Sequence, residues 1–324
     1  MPRSPLQERS GEDRSRRVPG KSAWRWVAVA VLLGLILAVI LLSVLGDGDE
    51  GTHDDAHQPP AEGDESAGEA HAGAHMEHIH GLGVDPSDGA LLIASHYGLF
   101  RLDDGAPERL SEVQDFMGFT VVDEGRLLAS GHPGQGQDAP SNLGLIESSD
   151  GGATWQEVSL GGEADFHALD AAGQRVYGVD ATGGDQLMVS DDGGETWQSP
   201  EAPAMAGVAV DLRDPDSVLG TTPDGPVLSR DGGQSFAALQ DAPLLLAVDW
   251  AADGTLYGLD PAGGLHRSDD DGATWEETQG SATLPEGYPE AVHAVDEDEL
   301  WVAVEGAVLH SSDAGETFEA VHEE

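Results

Sequence analysis

Six histidines stand where they could share one site. His78 and His80 are separated by a single residue, His96 precedes Tyr97, and His132, His167 and His293 follow at wider intervals. Neutral imidazole is a common transition-metal ligand, and His mixed with Asp or Glu suits Zn²⁺, Cu²⁺ or Ni²⁺. Asp180, Asp260 and Glu305 are the carboxylates placed to join them. His78, His80, His96, His132, His167 and His293 are therefore candidate metal ligands, with Zn or Cu the expected ion. Two other readings remain open. One is a polar rim whose imidazoles bond to backbone and water, and the other is a hydrolase centre.

The elements that must position these residues are read from a repeat. The pattern S-x-D-x-G-x-T-W occurs at Ser148 to Trp155, Ser190 to Trp197, Ser229 to Phe236, Ser268 to Trp275 and Ser311 to Phe318, with starts 42, 39, 39 and 43 residues apart. That period suits a four-stranded sheet repeated around an axis. Between the boxes a short apolar strand closes in Val-Asp or Leu-Asp, at Asp85, Asp123, Asp170, Asp211, Asp249 and Asp296. Each is followed by a turn and a second strand. Short alternating strands bounded by Asp-Gly turns read as sheet, and outside residues 26–45 no segment reads as a helix of useful length. The expected fold is all-β: a six-bladed β-propeller over residues 76–322, with a degenerate first box at 101–105.

In such a blade the first strand starts at one face and the second returns to it. Residues before first strands and after second strands then converge at one mouth of the central channel. His78 and His80 precede a first strand, while His96 and His132 follow second strands. His167 and His293 each lie three residues before a closing Asp, in the third and sixth blades, which face each other across the axis. The boxes fall on the opposite face. Their Asp and Gly suit a tight turn and their Trp or Phe fills space between sheets, so their role is structural. The Gly-rich loop at 131–144 belongs to the histidine face and is expected to form a lip.

The ends of the chain read differently. Residues 1–25 hold seven of the fourteen basic residues and form a basic tail expected in the cytoplasm. Residues 26–45 carry no charge and, at 1.5 Å per residue, span about 30 Å, as a transmembrane signal-anchor helix does. The flanking charges place the remainder outside the cell membrane as a single-pass protein, although cleavage near Gly46 is an alternative. Residues 46–75, rich in Gly, Asp, Glu and His, are expected to be a disordered acidic stalk. Beyond the apolar segment seven Arg face 58 acidic residues. That balance excludes nucleic acid and anionic membrane surfaces as partners. With no cysteine in the chain, disulfides and a lipobox anchor are excluded.

The five boxes, with His78-Ile-His-Gly-Leu-Gly-Val-Asp-Pro86, Ser95-His-Tyr-Gly-Leu99 and Ser130-Gly-His-Pro133, resemble a bacterial exported family of BNR/Asp-box, sialidase-like propellers. That family is often labelled glycosyl hydrolase or exo-alpha-sialidase-like. More distantly the chain resembles propellers that assist photosystem II assembly. True sialidases use an arginine triad and a Phe/Tyr-Arg-Ile-Pro motif, and this chain lacks that motif. Its Arg126, Arg175 and Arg213 sit in turns on the face away from the mouth, so sialidase activity is not expected. The expected function is a membrane-anchored, monomeric binding or assembly module whose mouth holds a metal and takes a protein or glycan ligand. The alternative is a glycoside hydrolase acting on a non-sialic glycan.

Overall fold

The computed structural model describes residues 76, 78–103, 106–112 and 114–323. Among them six antiparallel sheets follow one another, each built from consecutive strands. The inner strands of blades 1 to 6 are Ile79–Val84, Asp115–Asp123, Phe166–Ala172, Gly207–Val210, Ala247–Trp250 and Pro289–Ala294. Blade 3 has three full strands, and an isolated pairing of Val189 with Gln198 marks its outer edge. Each inner strand touches those of its two neighbours, and the inner strand of blade 6 touches that of blade 1. The chain is a closed, all-β, six-bladed propeller.

The sequence closes this way because both faces of each sheet are apolar. The second strand of blade 1, Leu91–Ser95, is buried at every position. Successive side chains point to opposite faces. Leu91 and Ile93 pack with Ala303 and Val308 of blade 6, while Leu92 and Ala94 pack with Phe116 and Leu127 of blade 2. Six wedges of this kind, one between each pair of neighbours, replace a single core. Each buried Leu or Phe contributes about 1.5–3 kcal/mol.

The boxes fasten the opposite face. Ser148 Oγ accepts the Gly152 N–H and donates to Asp150, both at 2.8 Å. Asp150 in turn accepts the Thr154 amide at 2.9 Å and hydroxyl at 2.7 Å. The same bonds recur from Ser190, Ser229, Ser268 and Ser311. The N–H groups of Gly151, Gly193 and Gly232 bond to hairpins between first and second strands, which places the boxes away from the histidines. Trp155 and Trp197 lie 5.1 and 4.8 Å from the rings of Phe116 and Phe166. Among the described residues the wedge between blades 6 and 1 receives no box aromatic; Met76, Phe100 and Trp301 fill it instead.

Two expectations are corrected. Among the described residues no helix is long and apolar enough to cross a membrane, and the helical element there is a short 3-10 turn, Gln279–Thr283. Residues 26–45, like the tail at 1–25 and the stalk at 46–75, lie outside the described residues. Over the described residues the fold stands as a propeller with no transmembrane helix. Single-pass anchoring, the cytoplasmic N-terminus and the cell-membrane location that depended on that helix are withdrawn.

The six closing Asp residues also do not share one position. Asp170 pairs opposite Tyr177 and Asp249 opposite Tyr257, inside the sheet. Asp85 and Asp211 lie at the turn, their N–H groups bonding to Ala90 O and Ser217 O. The hairpins differ in length, so an Asp counted from the strand end changes its level from blade to blade.

Candidate functional site

Four inner strands carry an extra residue at the end nearest the mouth. His80, Met117, His167 and Glu290 fall out of the pairing, each just after a residue that still pairs: Ile79, Phe116, Phe166 or Pro289. A bulge re-aims the side chain that it carries, and here it turns His80 and His167 toward the mouth. The residue before the paired one is His78, Asp115, Asp165 or Tyr288. Second strands end alongside. His96 and Tyr97 form a two-residue turn between Ser95 and Gly98, held by Ser95 Oγ, which accepts the Tyr97 N–H. His132 pairs opposite Asp115. That pairing requires Gly131, whose φ of 147° is open to glycine and whose Cβ would collide with the Asp115 carbonyl oxygen.

His80, His96 and Asp115 form a cluster able to coordinate a metal ion, with one donor atom from each lying within 4.8 Å of the others. His96 Nδ1 is 3.4 Å from Asp115 Oδ2, and the His96 ring lies 4.7 Å from that of His80 and 5.1 Å from that of His78. His80 Nε2 and Asp115 Oδ1 are buried and have no hydrogen-bond partner among the described residues. Burial, followed by the charges of His96, His167 and His78, pushes His80 down to about 3. The ring is thus neutral at physiological pH, as a ligand must be. Burial raises the Asp115 carboxyl against the pull of His96 and His132. Each buried unpaired polar group costs about 1–3 kcal/mol, and a cation between these two would relieve both.

His132 and His167 gather next door, their Nε2 atoms 3.5 and 3.0 Å from Asp165 Oδ2. Asp165 Oδ1 and His132 Nδ1 are again buried without a partner among the described residues. Burial works against a charged His167, but the hydrogen bond and charge of Asp165 outweigh it and raise its pKa. The loop at 131–144 is fixed beside them by Gln137, which donates to Glu112 Oε2 at 3.2 Å.

His293 lies elsewhere. It pairs opposite Trp301, level with Asp170 and Asp249, and its Nδ1 is 2.9 Å from Asp249 Oδ2. It therefore sits three positions deeper than His167, and the two do not meet across the axis. Thr120, Asp170, Asp249 and His293 belong to a channel of about 680 Å³ lined by the inner strands, and no Arg or Lys contributes to its wall. Asp170 accepts the Val210 N–H and Asp249 the Ala294 N–H, each in the next blade. Burial and the like charge of Asp249 push Asp170 up to about 7.

Of the carboxylates expected at the mouth, Asp180 and Asp260 instead close loops. Asp180 accepts the Asp165 and Thr182 N–H groups, and Asp260 those of Ala262 and Gly264. Asp260 also pairs with His266, at 2.9 Å. The two that meet the clustered histidines of the mouth, Asp115 and Asp165, were not among the expected carboxylates. Their signal was available as Asp115-Phe116 with Phe119 and Asp165-Phe166 with Leu169, a motif repeated in successive blades.

Comparison with known proteins places this architecture. Residues 188–199 match the BNR/Asp-box repeat family. No curated protein matches the chain. A GH74 enzyme of Niastella koreensis is 17% identical, with a TM-score of 0.56, over 76% of this chain and 45% of that one. A GH74 xyloglucanase from Xanthomonas campestris is 18% identical, with a TM-score of 0.52 and the same coverage. YCF48 bound to a D1 peptide is 16% identical, with a TM-score of 0.48, over 76% of this chain and 83% of that one. This chain spans less than half the length of the two GH74 proteins, and at these identities the likeness is one of fold. The chain is a BNR/Asp-box six-bladed β-propeller related in fold to the GH74 propellers.

Proposed function

We propose that the mouth is the working site of a metal-dependent hydrolase acting on a neutral, non-sialic glycan. The expected membrane-anchored binding or assembly module is set aside with its anchor, and the glycoside-hydrolase alternative takes its place. The carrying observation is the convergence of His80, His96 and Asp115 around two buried, unpartnered donor atoms, beside a second carboxylate flanked by imidazoles. Two imidazoles and a carboxylate make an open transition-metal site, suited to zinc first and copper second. An ion held by His80, His96 and Asp115 would supply Lewis-acid polarisation of a substrate oxygen and acidification of water. In the proposed reaction water attacks the acetal carbon and its proton passes to the Asp165–His132 pair. The glycosidic C–O bond breaks, and the leaving oxygen takes a proton from His167, whose raised pKa suits a donor.

Charge supports a neutral substrate. The guanidinium groups of Arg101, Arg126, Arg175, Arg213, Arg230 and Arg267 are held in ion pairs with acidic residues. None of them lines the channel, so no guanidinium there clamps a sugar carboxylate. The fold also carries a xyloglucanase, although fold alone does not assign activity. The test is metal analysis of the purified full chain with assays on xyloglucan and other neutral polysaccharides. Bound metal, chelator-sensitive hydrolysis recovered with Zn²⁺, and loss of metal in His80→Ala are expected. A metal-free chain whose melting ignores both Zn²⁺ and Cu²⁺ would sink the proposal.

A further inference from the structure

The strand pairings define equivalent positions in all six blades. Buried Met205 and Leu245 precede Ala206 and Leu246, whose N–H groups bond to Thr221 O and Leu259 O at the ends of second strands. Met205 and Leu245 thus match Ile79, Phe116, Phe166 and Pro289. One residue earlier, the outer ring of the mouth reads His78, Asp115, Asp165, Ala204, Leu244, Tyr288 in blade order. Blades 1 to 3 supply the ionisable groups, and blades 4 to 6 supply apolar ones.

That second half is exposed. Tyr288 is 63% accessible, Leu244 43%, and Tyr97, in the turn beside His96, 40%. These are three of the five large hydrophobic residues exposed among the described residues, and all three are on the mouth. Leu244, Tyr288 and Tyr97 stand on consecutive blades 5, 6 and 1 around the ring, with Tyr288 lining the channel, and exposed apolar groups along one rim suit a binding surface. The Tyr288 main chain is held, since its carbonyl accepts the Glu305 N–H at 3.0 Å. Glu290 lines the channel two residues further on, its carboxylate held by the Gly306 N–H at 2.9 Å, and Glu305 follows with φ of 47°. An aromatic face beside carboxylate acceptors matches a ring that is apolar on its faces and carries hydroxyl donors around its edge.

We infer that Tyr288, with Leu244 and Tyr97, forms the subsite for a pyranose ring of an uncharged glycan. The ring's C–H face stacks on Tyr288 while its hydroxyls donate to Glu290 and Glu305. The inference rests on the hydrolase reading and adds the part of the mouth that grips the substrate. An acidic sugar is refused there by the same carboxylates.

Electrophoresis of the metal-loaded full chain through gels containing xyloglucan, mixed-linkage glucan or polygalacturonate tests this, with KM measured on whichever neutral polysaccharide is cleaved. The neutral polymers should retard the chain and polygalacturonate should not. Tyr288→Ala should weaken binding and raise KM about tenfold, Tyr288→Phe should retain both, and metal content should be unchanged in each variant. Hydrolysis with an unaltered KM in Tyr288→Ala overturns the subsite and leaves the hydrolase. If the wild type neither binds nor cleaves any neutral glycan, both readings fail. Retardation by polygalacturonate, or a peptide ligand displaced by no glycan, also overturns the subsite.

Discussion

Asp115 and Asp165 hold the same place in consecutive blades, and each meets the histidine at or just after the end of the second strand of the blade before it. His96 Nδ1 lies 3.4 Å from Asp115 Oδ2, and His132 Nε2 lies 3.5 Å from Asp165 Oδ2. The chemistry of the mouth is thus one His–Asp contact used twice. The bulged His80 and His167 distinguish the two uses: His80 is neutral and completes the cluster able to coordinate a metal, whereas His167 favours its charged form beside Asp165.

The two carboxylates should therefore separate on mutation. Asp115→Asn should abolish metal binding, measured by titration calorimetry with Zn²⁺. Asp165→Asn should weaken metal affinity by no more than the 10- to 100-fold, roughly, that an outer-shell partner controls, while removing turnover. Equal loss of metal in both variants would contradict the division of roles.

Gly131 is the backbone condition for both pairs, since it lets the strand carrying His132 approach Asp115. Gly131→Ala imposes φ of 147° on a residue with a Cβ and drives that atom into the Asp115 carbonyl. Roughly 1–3 kcal/mol of stability should be lost, together with metal affinity, as read by urea unfolding and calorimetry. A fully stable variant with intact metal binding is the contrary result.

The channel should make stability depend on pH. The Asp170 carboxyl titrates at about 7 in the fold against 3.8 ordinarily, because of burial and then the charge of Asp249. Between those values the folded chain holds the extra proton, so stability falls as pH rises toward 7 and levels off above it. Asp249→Asn removes the like charge and should flatten the decline. Melting temperatures across pH 4 to 8, in roughly half-unit steps, decide the matter.

The boxes should matter for stability and leave the mouth untouched. Ser190→Ala strips the buried Gly194 N–H of its 2.9 Å acceptor and releases Asp192. About 1–3 kcal/mol should be lost, with Zn²⁺ affinity of the folded variant unchanged. A loss of affinity without a loss of stability would place the box in the site.

Much of the protein was legible in its residues. Five boxes at near-constant spacing determined the blade period and phase, because a turn needing Ser, Asp, Gly and Thr at fixed offsets tolerates little variation, and the six strands closing in Val-Asp or Leu-Asp gave the blade number. The phase in turn put His78, His80, His96, His132 and His167 on the face away from the boxes, and the acidic composition turned the reading from sialic substrates. What the sequence left undecided was level within a strand. Bulges at His80 and His167, and hairpins of unequal length, each shift the count by a residue or two, and in a sheet one residue turns a side chain to the other face. That is why His293 fell into the channel and why Asp115 and Asp165, rather than Asp180 and Asp260, met the imidazoles of the mouth, while Asp260 paired with His266. Strand composition can be read locally, but pairing is a property of two strands and the turn between them, and only the closed ring decided it.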